Sequence, residues 1–169
     1  LVVDVASTAA AAATFVGVEN VTFKKASSAI DMKNADQKAA LTFEAGGTID
    51  AKGLASGSTV TSTKVAAATT VDVAFRDSVM GEKSTIDLQE GTSVASTVTL
   101  KNIKDATINF GKATGATSTT IALDNNATGG TEVTTDLTVN AKGALTGLAL
   151  TTATELKNLT LNATAGTIT

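Results

Sequence analysis

The sequence has no cysteine, histidine, tryptophan, tyrosine or proline, and its aromatic residues, all phenylalanine, amount to 3% of it. Without cysteine there is no disulfide framework, no thiolate nucleophile, no Cys-bound zinc and no iron–sulfur cluster. Without histidine the commonest general base and the commonest metal-binding imidazole are missing, and a Ser-His-Asp triad is excluded. The scarcity of aromatics removes the stacking platforms on which single-strand nucleic-acid binding relies. Charge is sparse too, at 17% of residues, with 13 basic against 16 acidic side chains and a net charge of -3 over 169 residues. Lys24 and Lys25 are the one adjacent basic pair, so no basic patch is present and no nucleic-acid partner is expected. No apolar run approaches the roughly 18 residues of a membrane span, and Ala9 to Ala13 is short and weakly apolar. No membrane span is expected. An enzyme built from this inventory would rest on carboxylates, lysine or serine alone. The close acidic pairs weighed for catalysis are Asp72 with Asp77 and Asp87 with Glu90, and Arg76 is the single arginine. A carboxylate pair needs two acids across a cleft, and an enzyme is not expected. The composition points to a structural or binding protein.

What is abundant is alanine and threonine, far above ordinary usage. Threonine, serine, asparagine and aspartate alternate with valine, isoleucine, leucine and phenylalanine in short segments. Asn20-Val21-Thr22-Phe23, Ala40 to Glu44, Thr59 to Thr63, Val71 to Phe75 and Ser84 to Leu88 are examples. Thr97 to Leu100, Thr107 to Phe110, Thr119 to Leu123, Asp136 to Asn140, Leu159 to Asn162 and Thr167-Ile168 continue the series. Alternation with period two, made from strand-favouring residues, is the mark of a half-buried strand. Between the segments stand Gly, Asn, Asp and Ser, which tolerate positive φ or bond their own backbone and so turn the chain. Helix signals are poor, with one turn conceivable over Ala9 to Ala13 and a short helix over Asp31 to Ala40.

An all-β chain follows. Short strands, small side chains and irregularly recurring units favour a β-solenoid, in which each coil completes the hydrogen bonding of its neighbours. A β-sandwich is the alternative. One repeat module over residues 1–169 is expected. The chain starts at Leu1 without a signal-peptide pattern and stops within the strand-like Gly166 to Thr169, and is read as a fragment of a longer or processed protein.

Three pieces share a theme of apolar, charged, Asn, apolar, Thr, apolar: Val18 to Phe23, Leu100 to Phe110 and Leu156 to Ile168. The stretch Phe15-Val16-Gly17-Val18-Glu19-Asn20-Val21-Thr22-Phe23, with the turn and second strand up to Asp31, resembles a recurrent unit of bacterial surface-layer proteins. These are the Ala/Thr/Gly-rich β-solenoid proteins exported by type I secretion. The resemblance implies a self-assembling component of a two-dimensional coat on the bacterial cell surface. Copies would associate laterally, and cell-surface polysaccharide would be contacted through flanking sequence. The alternative is a stalk or passenger segment of a large secreted adhesin. Members of that family often bind calcium through Gly-Gly-x-Gly-x-Asp repeats. Gly46-Gly47-Thr48-Ile49-Asp50 and Gly129-Gly130-Thr131-Glu132 begin this way and then depart from it.

Hard-oxygen ligands make Ca²⁺ the one metal worth weighing. Three loops offer them: Asp124, Asn125 and Asn126, with Thr128 and Glu132 nearby; Asp31, Asn34 and Asp36; and Asp87 with Glu90. The plainer reading of each is a turn former. The run Thr59-Val60-Thr61-Ser62-Thr63 invites comparison with the flat threonine arrays of ice-binding solenoids. Aligned Thr-x-Thr at one coil period is not evident in the sequence, so a solvated strand face is expected.

Overall fold

The computed structural model describes residues 1–4, 11–12, 16–25, 30–35, 37–45, 48–63, 70–76, 83–89, 97–111, 119–124, 134–145, 147–164 and 166–169. The strands alternate between two sheets. In chain order they are β1 (Val2–Val3), β2 (Ala11–Ala12), β3 (Asn20–Phe23), β4 (Ile30–Asp31), β5 (Ala40–Phe43), β6 (Ile49–Leu54), β7 (Thr59–Ser62) and β8 (Thr70–Phe75). They continue as β9 (Lys83–Leu88), β10 (Thr97–Lys101), β11 (Asp105–Phe110), β12 (Thr120–Asp124), β13 (Asp136–Ala141), β14 (Ala149–Thr151) and β15 (Asn158–Ala163). Odd-numbered strands form an 8-stranded sheet in sequence order, and even-numbered strands form a 7-stranded sheet. Every strand pair is parallel. The chain is therefore an all-β, parallel β-solenoid, not a sandwich.

The alternation explains itself once the coils are stacked. A parallel sheet usually has both faces covered and reads as a continuous apolar run. Here each sheet has one face inside the coil and one outside, so alternation survives in a parallel sheet. The inward file of the first sheet runs Val21, Leu41, Val60, Ile86, Ile108, Val139 and Leu161, each residue opposite the next. All but Leu161 are 0% exposed, and each such side chain contributes about 1.5–3 kcal/mol by leaving water. The second sheet supplies Ile49, Val71, Val98 and Ile121 as one buried file and Ala51, Val73, Leu100 and Leu123 as the next. Phe23 stacks on Phe43, with ring centroids 4.9 Å apart and planes 17° off parallel.

Corners reuse the same devices. The Ala39 amide donates to Ser58 Oγ at 3.1 Å, and the Gly57 amide donates to Ser84 Oγ at 3.3 Å. In both cases a serine on the later coil receives the backbone of the earlier one, which is why Ser58 and Ser84 are buried without cost in unpaired groups. Asn102 turns another corner at φ 57°, a conformation asparagine tolerates, and its Nδ2 donates to Phe75 O at 3.1 Å on the coil below.

The helical readings are corrected. Ala11–Ala12 is strand, and Ile30–Asp31 is strand followed by a turn at Lys33 and Asn34. A helix there would have pulled Ile30 out of the file it shares with Ala51. The shared theme in the sequence also needs re-registering. Val21 lies in the file of Leu161 rather than Leu159, so the first and last pieces match with a two-residue offset. Leu100 to Ile103 is the end of a second-sheet strand and a corner.

Candidate functional site

The outward face of the first sheet is built from two polar files. One runs Thr59, Thr85, Thr107, Thr138 and Thr160 on successive strands. The other runs Thr22, Thr42, Thr61, Asp87, Asn109, Asn140 and Asn162. The alignment of threonines that the sequence does not reveal is thus real, but the second file changes to Asp and Asn after Thr61. Among the described strands of this sheet, β7 alone carries Thr at both positions, so paired Thr-x-Thr rows do not repeat.

The asparagines form a directed ladder. Asn162 Nδ2 donates to Asn140 Oδ1 at 2.8 Å, and Asn140 Nδ2 donates to Asn109 Oδ1 at 2.8 Å. Both of these amide donors point toward the N-terminal coils, and the next position along the file is the carboxylate of Asp87. Asp87 Oδ2 also accepts from Gln89 Nε2 at 3.0 Å. Beside the ladder lies an open groove of about 720 Å³, lined by Asp87, Asn109 and Asn140 together with Gln89 and Lys142. Gly111 also lines it, and its lack of a side chain is enforced. A Cβ there would collide with the backbone oxygen of Gln89.

A second ladder runs along the strand starts. Asn158 Nδ2 donates to Asp136 Oδ1 at 2.6 Å, and the Thr135 hydroxyl donates to Asp136 Oδ2 at 2.6 Å. These two donors, the Thr135 bond foremost, hold the Asp136 carboxyl below the usual carboxylate range. Lys83 Nζ lies 3.9 Å from Asp105 on the same edge.

The outward face of the second sheet carries alternating charge. Asp50 lies opposite Asp72, and Asp31 lies opposite Lys52. Lys52 Nζ is 3.0 Å from Asp50 Oδ2, Lys101 Nζ is 3.5 Å from Asp72 Oδ2 and Lys33 Nζ is 3.6 Å from Asp31 Oδ2. The hydrogen bond and charge of Asp50 push the Lys52 ammonium pKa up against partial burial, with Asp72 and Asp31 adding to the effect. The second oxygens of Asp50 and Asp72 are shielded and accept no hydrogen bond among the described residues. Sequence reading missed this pair, because Asp50 and Asp72 belong to different coils and only the register unites them.

The sequence-derived calcium candidates fall in different places. Asp31 ends β4, and its Oδ1 accepts from the Lys33 amide at 2.9 Å. Asp87 sits in β9 on the first sheet. Asp124 ends β12, while Asn125, Asn126, Asp36, Glu90, Thr128, Glu132 and Asp77 lie outside the described residues. Asp31 and Asp87 belong to different sheets, so the fold does not bring them together on one face. Among the described residues no group of three or more acidic side chains is placed to hold a metal ion. Among the described residues no helix is long and apolar enough to cross a membrane.

No protein-family profile, no curated protein and no solved structure matches this chain. The functional reading therefore rests on the geometry of its faces and ends.

Proposed function

We propose that this chain is a structural, self-assembling module of a bacterial surface layer, placed outside the cell and without catalytic activity. The observation that carries the reading is the outward face of the first sheet. Thr59, Thr85, Thr107, Thr138 and Thr160 stand in one file beside Asn109, Asn140 and Asn162. Strands in one sheet are about 4.8 Å apart, and stacked sheets approach to about 10 Å. A face of short, nearly uncharged side chains at that repeat permits a second copy to pack flat against it. From Thr22 to Asn162 in one file and from Thr59 to Thr160 in the other no large apolar side chain occurs, so that stretch of the face adheres only through many weak contacts. Asp87 is the one acid in the two files. A Ca²⁺ ion shared between Asp87 carboxylates of facing copies would bridge them with the oxygen ligands that the ion prefers. Anchoring to cell-surface polysaccharide belongs, in this reading, to flanking sequence.

The linear stacking of coils from β1 to β15 also suits a rigid spacer in a secreted adhesin. Negative-stain electron microscopy of the purified protein, with calcium and with a chelator, separates the two. Ordered sheets that disperse on chelation are the expected result. Isolated rods under both conditions would overturn self-assembly and leave the spacer.

A further inference from the structure

The groove beside the asparagine ladder spans three successive coils, and its middle coil is notched. It lies within the stack, where β9, β11 and β13 each pair on both sides. Gln89, Gly111 and Lys142 follow directly on Leu88, Phe110 and Ala141, which are register partners on these strands. They stand two positions beyond Asp87, Asn109 and Asn140. Gly111 has no room for a side chain. A gap therefore opens between Gln89 and Lys142, which lie two strand spacings apart, about 10 Å.

The polar groups of the groove change along the stack. On the first coil Asp87 is a carboxylate, with Oδ2 accepting from Gln89 Nε2. On the second, Asn109 Oδ1 accepts from Asn140, while its Nδ2 donates to no group among the described residues. On the third, the exposed Lys142 has no ion-pair partner among the described residues. Acceptor, amide donor and ammonium thus succeed one another at the strand spacing of about 4.8 Å. Phe110 and Ala141 also line the groove and give it an apolar floor.

Main-chain donors at the rim are already paired. The Gln89 amide donates to Ser62 O, that of Gly111 to Leu88 O and that of Lys142 to Phe110 O. An extended peptide finds no backbone edge there, and Asp87 repels the continuous phosphates of a nucleic acid. Sugar hydroxyls both donate and accept, as serine and threonine hydroxyls do, so they satisfy a carboxylate on one coil and an amide on the next. A pyranose chain advances by about one strand spacing per sugar, ~4.8 Å, which sets one sugar against each coil. We propose that the groove binds a glycan segment with one acidic sugar followed by two neutral ones. The sugar carboxylate pairs with Lys142, and the neutral sugars lie over Asn109 and over Asp87 with Gln89. An acid on the sugar nearest Asp87 sets carboxylate against carboxylate. The site is independent of self-assembly.

The test titrates the 169-residue protein in chelator, so that its outcome is separate from calcium-dependent array formation. The probes are sialyllactose and glucuronosyl-xylobiose, each one acidic sugar on two neutral ones, with neutral maltotriose and the fully acidic trigalacturonate beside them. Calorimetry reads affinity, and NMR of the side-chain amides reads the place. The expected result is saturable binding of an acid-plus-two-neutral trisaccharide, with shifts at Gln89, Asn109 and Asn140. Maltotriose and trigalacturonate are expected to bind more weakly by about tenfold. Lys142→Gln is expected to bring the acidic probe down to the level of maltotriose, while Lys52→Gln on the second sheet leaves it unchanged. No binding of either acid-plus-two-neutral probe, equal binding of all four, an equal loss in Lys52→Gln, or shifts away from the groove would overturn the proposal.

Discussion

Asn140 stands directly on Asn109, its Nδ2 at 2.8 Å from the Asn109 Oδ1, although the two are 31 residues apart in the chain. The next rung, Asn162 on Asn140, is separated by only 22 residues and has the same 2.8 Å bond. Coil length therefore varies without disturbing the stack. The register is held by the strands, and additional residues are taken up between them. A file of identical side chains is both the ruler and part of the glue of this fold.

Replacing Asn140 with aspartate tests the ladder. Asn140 donates to Asn109 and accepts from Asn162. An ionised carboxylate in its place accepts but cannot donate, so it opposes the Asn109 oxygen. Asn140→Asp is expected to lower stability by about 1–3 kcal/mol at neutral pH. Relative to the parent at each pH, part of the loss returns in acid, where a protonated carboxyl donates again. Urea denaturation at neutral and acidic pH measures both. Parent-like stability at neutral pH would contradict the ladder's contribution.

The interior file makes a graded prediction. Ile86 is 0% exposed in mid-stack, whereas Leu161 is 44% exposed at the end. Ile86→Ala is expected to cost about 2–5 kcal/mol, since the stacked neighbours above and below restrict collapse into the cavity. Leu161→Ala is expected to cost well under half of that. Thermal melts followed by circular dichroism compare the two, and equal losses would contradict the stacking order.

Two glycines with the same backbone angle are expected to behave differently. Gly17 and Gly53 both have φ 66°, but a Cβ on Gly17 meets nothing within 4 Å, whereas one on Gly53 would approach the Lys33 backbone nitrogen to 2.6 Å. Gly17→Ala carries only the left-handed penalty of about 1–2 kcal/mol. Gly53→Ala adds overpacking of about 1–3 kcal/mol, because the obstacle is backbone on the neighbouring coil. Denaturation midpoints of the two variants decide it, and an equal shift would place the neighbouring coil further from Gly53 than the structure has it.

Two ionisable groups set opposite limbs of the pH profile. The Asp136 carboxyl is depressed in the folded state, first by the Thr135 hydroxyl and then by Asn158. Its contribution is complete above the unfolded-state value and is lost as pH falls through the folded value. Lys52 is raised, chiefly by its hydrogen bond to Asp50. Its contribution is complete at neutral pH and is lost as pH rises through a folded value above the ordinary lysine range. Asp136→Asn is expected to flatten the acid limb of stability against pH, and Lys52→Gln the alkaline limb. Both groups are solvent-accessible, so added salt weakens both effects. Unchanged limbs in the variants would contradict the assignments.

The first sheet was largely legible in the sequence, and the second was less so. Asn20–Phe23, Thr59–Ser62 and Asp136–Ala141 alternate cleanly between β-favouring residues, and the expected segments fall on them. The strands that escaped reading were mostly those of the second sheet. β2 is two alanines, β4 two residues, and β14 three, all too short to show a period. β6 contains Gly53 and a register shift between Ala51 and Leu54, which breaks alternation. These strands exist because neighbouring coils pair with them, a tertiary cause that a window of sequence does not contain. The same holds for the site. The polar residues of each strand were visible, but the files through Thr85 and Asn140 exist only in the register, across coils of unequal length.

The central claim is that the outward threonine–asparagine face of the first sheet joins copies of the chain. The most direct measurement is electron microscopy of a double variant, Thr85→Lys with Thr138→Lys, beside the parent protein in calcium. Both positions are half-buried on the outward face, and lysine at them points to solvent in an isolated copy, so circular dichroism should show the parent fold. The account predicts ordered arrays from the parent and dispersed single solenoids from the variant. Arrays of unchanged order from the folded variant would contradict it.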